Sequence, residues 1–144
     1  MNRRQLLEFL QSHDLAVQSS VSDQAEPQAA VIGFAITNEF EFVFDTLDST
    51  RKIRNLRRNP MIALTVGGLT DKDERTVQCN GIADEPTGLV LDRLKNAYFS
   101  VFPDGKGRQS WQGITYIRVR PLWMRFSDFN RDPPEIVEFD FGIE

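Results

Sequence analysis

Apolar positions along this chain follow two periods, and each period marks a kind of element. Leu6, Leu7 and Leu10 fall on one face of a helix that Asn2 can cap and that ends near His13. Leu15 to Val21 reads as a strand, and Ser22 to Glu26 as a polar turn. Gln28 to Thr37, with β-branched Val31, Ile32 and Ile36, reads as a mostly buried strand that breaks at Asn38-Glu39. From Phe40 to Thr46 the period is two: Phe40, Phe42 and Phe44 share one side, and Glu41, Val43 and Asp45 the other.

Ser49 or Thr50 then caps a short helix that must stop at Asn59-Pro60, because a residue before proline avoids the helical region. Met61 to Val66 is a strand closed by Gly67-Gly68, 71–74 a charged loop, and Arg75 to Ala83 another strand. Thr87 caps the longest helix, with Val90, Leu91, Leu94, Tyr98 and Val101 on one stripe. Pro103-Asp104-Gly105 ends it. Ile114 to Val119 and Trp123 to Phe126 are two strands joined at Pro121, and Glu135 to Phe141 alternates acids with apolar residues. Seven strands and three helices, without repeat or linker, describe one mainly β domain over residues 1–144. Helices that do not alternate with strands favour a β-barrel with α additions over a doubly wound parallel sheet.

Composition narrows the chemistry. Eleven phenylalanines predict an aromatic core, and the net charge of -4 argues against general nucleic-acid binding. One cysteine, Cys79, and one histidine, His13, leave no disulfide framework and no Cys/His metal site within one chain. No apolar run approaches the roughly 20 residues of a membrane span. Met1 to Leu10 holds no signal-peptide core, so the expected location is cytoplasmic. There is no Gly-x-Ser-x-Gly elbow or Walker loop. His13 reads as a cation at a helix C-terminus, and Cys79 as an unreactive strand thiol.

One segment departs from the acidic background. Five of the eight residues from Arg51 to Arg58 are basic. Before them stands Phe44-Asp45-Thr46-Leu47-Asp48-Ser49-Thr50, a strand leading through hydroxyls into a helix N-terminus. Cations in a first turn oppose the helix dipole unless an anion lies between, so Arg51 and Lys52 mark either a phosphate site or a solvated basic face. Arg54, Arg57 and Arg58 read as partners of surface acids. Trp111, Tyr116 and Trp123 either line a flat ligand or pack the core.

Taken in order, several segments resemble the pyridoxamine 5'-phosphate oxidase-like family of FMN-binding split barrels. They are Pro27 to Ile32, Phe42 to Thr46, Ser49-Thr50-Arg51-Lys52 with Asn59-Pro60, Glu74 to Gln78 with Gly81, Tyr98-Phe99 with Pro103, and Arg118-Val119 with Pro121. The likeness runs from the first strand to about Phe126. It implies an antiparallel split β-barrel of six to eight strands with about three helices, homodimeric, with FMN at the interface. By position, Thr46, Thr50, Arg51 and Lys52 inherit the phosphate, and the backbone of Ala30, Val31 and Ile32 faces the flavin ring. Thr76 stands where the oxidase has a flavin-contacting glutamine, and Gln78 on the same strand face can substitute. Gln109, Ser110 and Trp111 approach the flavin from the second subunit.

The resemblance also carries departures. Tyr98 matches a tyrosine that holds substrate phosphate, but Phe102 and Lys106 stand where an arginine and a serine belong. Lys106 lies in a Pro- and Gly-rich stretch expected to move. The C-terminal Arg-x-His motif is missing. The expectation is an FMN flavoprotein, an oxidoreductase acting on a small molecule other than pyridoxamine phosphate. The alternative is a non-catalytic flavin- or haem-binding protein on the same barrel.

Overall fold

Alternation at period two underlies the eight strands among the described residues: β1 (Leu15–Val21), β2 (Pro27–Gly33), β3 (Ala35–Ile36), β4 (Phe42–Leu47), β5 (Met61–Gly67), β6 (Arg75–Asp84), β7 (Ile114–Asp128) and β8 (Glu135–Asp140). The helices are α1 (Arg3–Gln11), α2 (Arg51–Arg58) and α3 (Gly88–Val101), followed by a 3-10 helix, Pro103–Ser110. The computed structural model describes residues 1–68, 70 and 72–142, so Asp71 of the charged loop lies outside the described residues.

All pairings are antiparallel, in the order β2-β1-β5-β6-β7-β4-β3, with β8 added on β7. The curled sheet is the split barrel that the sequence predicts. Its inner face carries the core in rows. One row is Ile32, Ala16, Val66, Val77, Phe126 and Val137. The next is Ala30, Gln18, Leu64, Cys79, Met124 and Phe139. In that row Leu64, Cys79, Met124 and Phe139 are all buried, and burial pushes the Cys79 thiol up to about 12, which makes it unreactive at neutral pH.

The helices cover the remaining inner surface. A capping box between Asn2 and Gln5 starts α1, whose Phe9 meets Phe126 edge-on at 5.4 Å between centroids. His13 follows α1 and lies 2.8 Å from the Phe9 carbonyl through Nδ1, as a C-terminal histidine should. Helix α2 buries Ile53, Asn55 and Leu56. Helix α3 buries Leu94, Tyr98 and Phe99, while Val90 and Val101 of the expected stripe are exposed.

Three local expectations are corrected. Gln28 to Thr37 is not one mostly buried strand but β2 and β3, and most of β2 is exposed because it is an edge strand paired only with β1. The break at Pro121 does not occur, and β7 is one strand of 15 residues. Its first half pairs with β4 and its second with β8, so Pro121 falls where that edge changes partner. The register with β6 shifts at Asn80/Gly81. A proline at a bulge costs no ladder hydrogen bond. Finally, Lys106 belongs to the 3-10 helix rather than to a loose loop.

The outer face of β2, β1, β5 and β6 is unusual for a solvated sheet. Its rows are Val31, Val17, Thr65 and Gln78, and Ala29, Ser19, Ala63 and Asn80. None of these eight residues is charged, and Val31 is 61% exposed.

Candidate functional site

Strand β4 ends at Leu47, and the chain turns through Asp48 and Ser49 into α2. Gly113 pins the turn: its carbonyl accepts from the Asp48 N–H at 2.8 Å. Gly113 sits at φ +82°, and a Cβ there would collide with the Asp48 carboxylate. Thr50 is the N-cap of α2, yet its side chain does not cap it. Its hydroxyl donates instead to the Leu47 carbonyl at 2.9 Å. The first-turn N–H groups of α2 therefore keep their capacity for an anion.

The cations stand on that turn. Lys52 Nζ donates to Thr46 Oγ1 at 3.4 Å, and the Thr46 and Thr50 hydroxyls are 3.4 Å apart. Burial holds the Lys52 ammonium below the ordinary lysine range. No acidic residue lies in the first turn of α2. Among the described residues neither Arg51 nor Lys52 has a carboxylate partner, whereas Arg57 pairs with Glu85 at 2.8 Å. Arg58 donates to the Val21 carbonyl at 3.0 Å. Of the four expected phosphate residues, Thr46, Thr50 and Lys52 are thus linked by hydrogen bonds, and Arg51 lines the same cavity as Thr50 and Lys52.

This cluster opens on a cavity of about 380 Å³, walled by Ser49 to Lys52 on one side and by Gln28, Ala29 and Ala30 of β2 on the other. That volume is within the usual range of ligand pockets, roughly 300–1,000 Å³. β2 is an edge strand, paired only with β1, so one side of its backbone keeps free N–H and C=O groups. Of the expected ring-facing residues, Ala30 and Val31 are exposed and Ile32 is buried in the core. The small side chain of Ala30, on the inner face, leaves the cavity open above Gln18, its direct partner across β1.

The other predicted residues lie elsewhere. Thr76 and Gln78 are on the outward face of β6, and neither lines the cavity. Gln109, Ser110 and Trp111 sit at the end of the 3-10 helix, also away from it, with Trp111 54% exposed. Tyr116 is buried in the core, which decides its role as packing.

Two groups of functional interest escaped the sequence reading. The first is a polar cluster beneath the cavity: Asn55 of α2 donates to Ser20 Oγ and to Gln28 Oε1, both at 3.0 Å, and Gln18 lies beside it. Polar residues at the inward positions 18 and 20 of β1 were the available signal. The second is an anchor for the 3-10 helix. Arg108 Nε donates to Asp45 Oδ2 at 2.8 Å, and the Tyr98 hydroxyl donates to Asp45 Oδ1 at 3.0 Å. Burial first, and then the Asp45 charge, pushes the Tyr98 phenol up to about 12. The tyrosine that the family likeness assigns to substrate phosphate is here tied to a carboxylate.

Among the described residues no group of three or more His, Cys, Asp or Glu side chains could hold a metal ion, and no helix is long and apolar enough to cross a membrane.

Several solved structures share the fold. A heme-binding protein of Mycobacterium smegmatis superposes with a TM-score of 0.79 at 14% identity, covering 93% of this chain and 56% of that one. This chain therefore spans little more than half of that protein. The heme storage protein HutZ of Vibrio cholerae gives 0.71 at 17% identity, with coverage of 82% and 88%. An FAD-binding protein of Mesorhizobium loti gives 0.69 at 15%, with coverage of 86% and 90%. No curated protein matches the sequence. The pyridoxamine 5'-phosphate oxidase family model matches residues 3–127, which include the α2 cluster, the edge strand β2 and every strand but β8, and the chain belongs to that family.

Proposed function

We propose that the chain is an FMN-binding homodimer that carries out two-electron redox chemistry on a small molecule. The observation that carries this reading is the pairing of two carboxylate-free cations with an uncapped helix N-terminus at the mouth of the cavity. Arg51 and Lys52 supply charge, and Thr46 and Thr50 supply hydroxyls, a donor set suited to a phosphate monoester. The free edge of β2 at Ala30 to Ile32 offers backbone groups to a planar heterocycle. Bound FMN would supply hydride or electron transfer. The chain's own residues bind and orient it: apart from Arg51 and Lys52, no titratable side chain lines the cavity.

The site requires a second copy. Thr76, Gln78 and Gln109 to Trp111 do not reach the cavity of their own protomer, and the uncharged outer face of β2, β1, β5 and β6 fits another such face. Thr76 and Gln78 lie on that face, and Gln109 to Trp111 are presented by the anchored 3-10 helix. Dilution should dissociate the dimer and release flavin together, which light scattering and flavin fluorescence follow in parallel. A stable monomer that keeps its flavin contradicts the shared site.

The heme-named structural relatives support a haem reading through the fold alone. The cavity lining favours flavin: it contains no His, Cys, Met or Tyr to serve as an axial ligand. His13 faces the end of α1 and Cys79 lies in the core.

Pyridoxamine 5'-phosphate should be a poor substrate. Tyr98 is only 3% exposed and is held by Asp45, whose carboxylate opposes a second phosphate nearby. Phe102 packs on Tyr98 at 5.0 Å between centroids, where the family likeness asks for an arginine. Oxygen consumption at saturating pyridoxamine 5'-phosphate should stay far below about 1 per second, an ordinary enzymatic rate. Turnover at that rate overturns this assignment while leaving FMN binding intact.

A further inference from the structure

The inner row that crosses the sheet at Gln18 is apolar everywhere else. Ala30, Leu64, Cys79, Met124 and Phe139 flank the glutamine in register. Gln18 is only 2% exposed, and its amide oxygen has no hydrogen-bond partner among the described residues. Yet Gln18 lines the cavity beside Thr50 and Lys52. An enclosed amide without a partner is destabilising, by about 1–3 kcal/mol for such groups in general. A leucine at this position would continue the row without that cost.

The neighbours do not relieve it. The Asn55 amide is directed to Ser20 and Gln28, the Thr50 hydroxyl to Leu47, and Lys52 to Thr46. An ionised phosphate offers acceptors only, so the anion at α2 leaves the amide oxygen unpaired. The carboxylates and ring of a metalloporphyrin likewise offer no donor. A hydroxyl both donates and accepts, and it satisfies a carboxamide from either end.

We propose that Gln18 is a ligand-binding residue that pairs with a hydroxyl carried near the phosphate, so that the cavity selects phosphate esters of polyhydroxylated chains over bare or alkyl phosphates. The inference rests on the phosphate assignment above and adds to it a selectivity that the cations cannot provide. The polyol chain of FMN is one such ligand, and a sugar phosphate is another.

The test compares the wild-type chain with Gln18→Leu, both as apo-protein, using FMN, ribitol 5-phosphate and butyl phosphate as probes. The wild type should bind ribitol 5-phosphate more tightly than butyl phosphate. Gln18→Leu should lose about tenfold or more in affinity for FMN and ribitol 5-phosphate, keep its affinity for butyl phosphate, and melt no lower than the wild type. Gln18→Glu or Gln18→Asn serves as a second variant if the leucine protein fails to fold. Equal loss for all three probes, or a lower melting temperature with unchanged affinities, shows a structural glutamine and overturns the inference. If the wild type binds none of the probes, the phosphate site itself is wrong. If it binds FMN and Gln18→Leu binds it equally well, only the role of Gln18 fails.

Discussion

Replacing Arg51 and Lys52 together with alanine should weaken FMN binding by at least about a hundredfold, since a hydrogen bond to a charged group contributes about 1.5–3 kcal/mol and two are lost. The fold should survive. Arg51 is exposed and neither side chain pairs with a carboxylate, while α2 is held by Ile53 and Leu56 in the core. Burial lowers the Lys52 pKa, and removing that desolvated ammonium relieves a cost rather than creating one. The same shift sets the pH dependence of the wild type. Affinity should rise as the phosphate gains its second charge near pH 6. It should then fall in alkaline solution, starting below the ordinary lysine value of about 10.4, as Lys52 loses its proton. The Lys52→Ala variant should lose that alkaline limb. Fluorescence titration of apo-protein measures both effects, and an unchanged affinity in the double variant removes the phosphate site from the account.

Asp45→Ala should be strongly destabilising. It strips Arg108 of its partner at 2.8 Å and Tyr98 of its acceptor at 3.0 Å. Removing one member of a largely buried ion pair typically costs about 3–5 kcal/mol. Arg108 retains Asp104 at 2.9 Å, but Asp104 is its own neighbour along the 3-10 helix and anchors nothing to the sheet. The helix carrying Gln109 to Trp111 should therefore loosen while α2 stays in place. Thermal melts should show the destabilisation, and hydrogen exchange should show faster opening at 103–111 than at 51–58. A variant as stable as the wild type, with an unaltered exchange pattern, means that the 3-10 helix is held by something other than this pair.

These two sites differ in how legible they were. The hydroxyl-Arg-Lys run lies within seven residues of one turn, so its chemistry could be read directly from local sequence. The Asp45–Arg108 pair joins residues 63 positions apart, and no local pattern announces it. The same contrast applies to the fold. Periods of two and of about four residues placed nearly every element, because each strand or helix must bury one face. They failed where strand pairing changed the rule: the edge position of β2 exposes residues that read as buried, and the switch from β4 to β8 lets Pro121 sit inside a strand. Gln18 was missed for a related reason. Alternation located β1, but the polar residues at its inward positions acquire meaning only when Ala30 and Lys52 are seen to enclose a cavity beside them. The role of the outer face depends on a second copy, which periodicity within one chain does not describe.

The central claim is that the α2 corner holds the phosphate of a flavin. The most direct measurement is the absorption spectrum of the protein purified from cells supplied with both riboflavin and haem, followed by mass identification of the released molecule. The account predicts flavin bands from bound FMN, lost together with the molecule in the Arg51→Ala, Lys52→Ala variant. A Soret band that survives in that variant, without flavin bands in either protein, would contradict it.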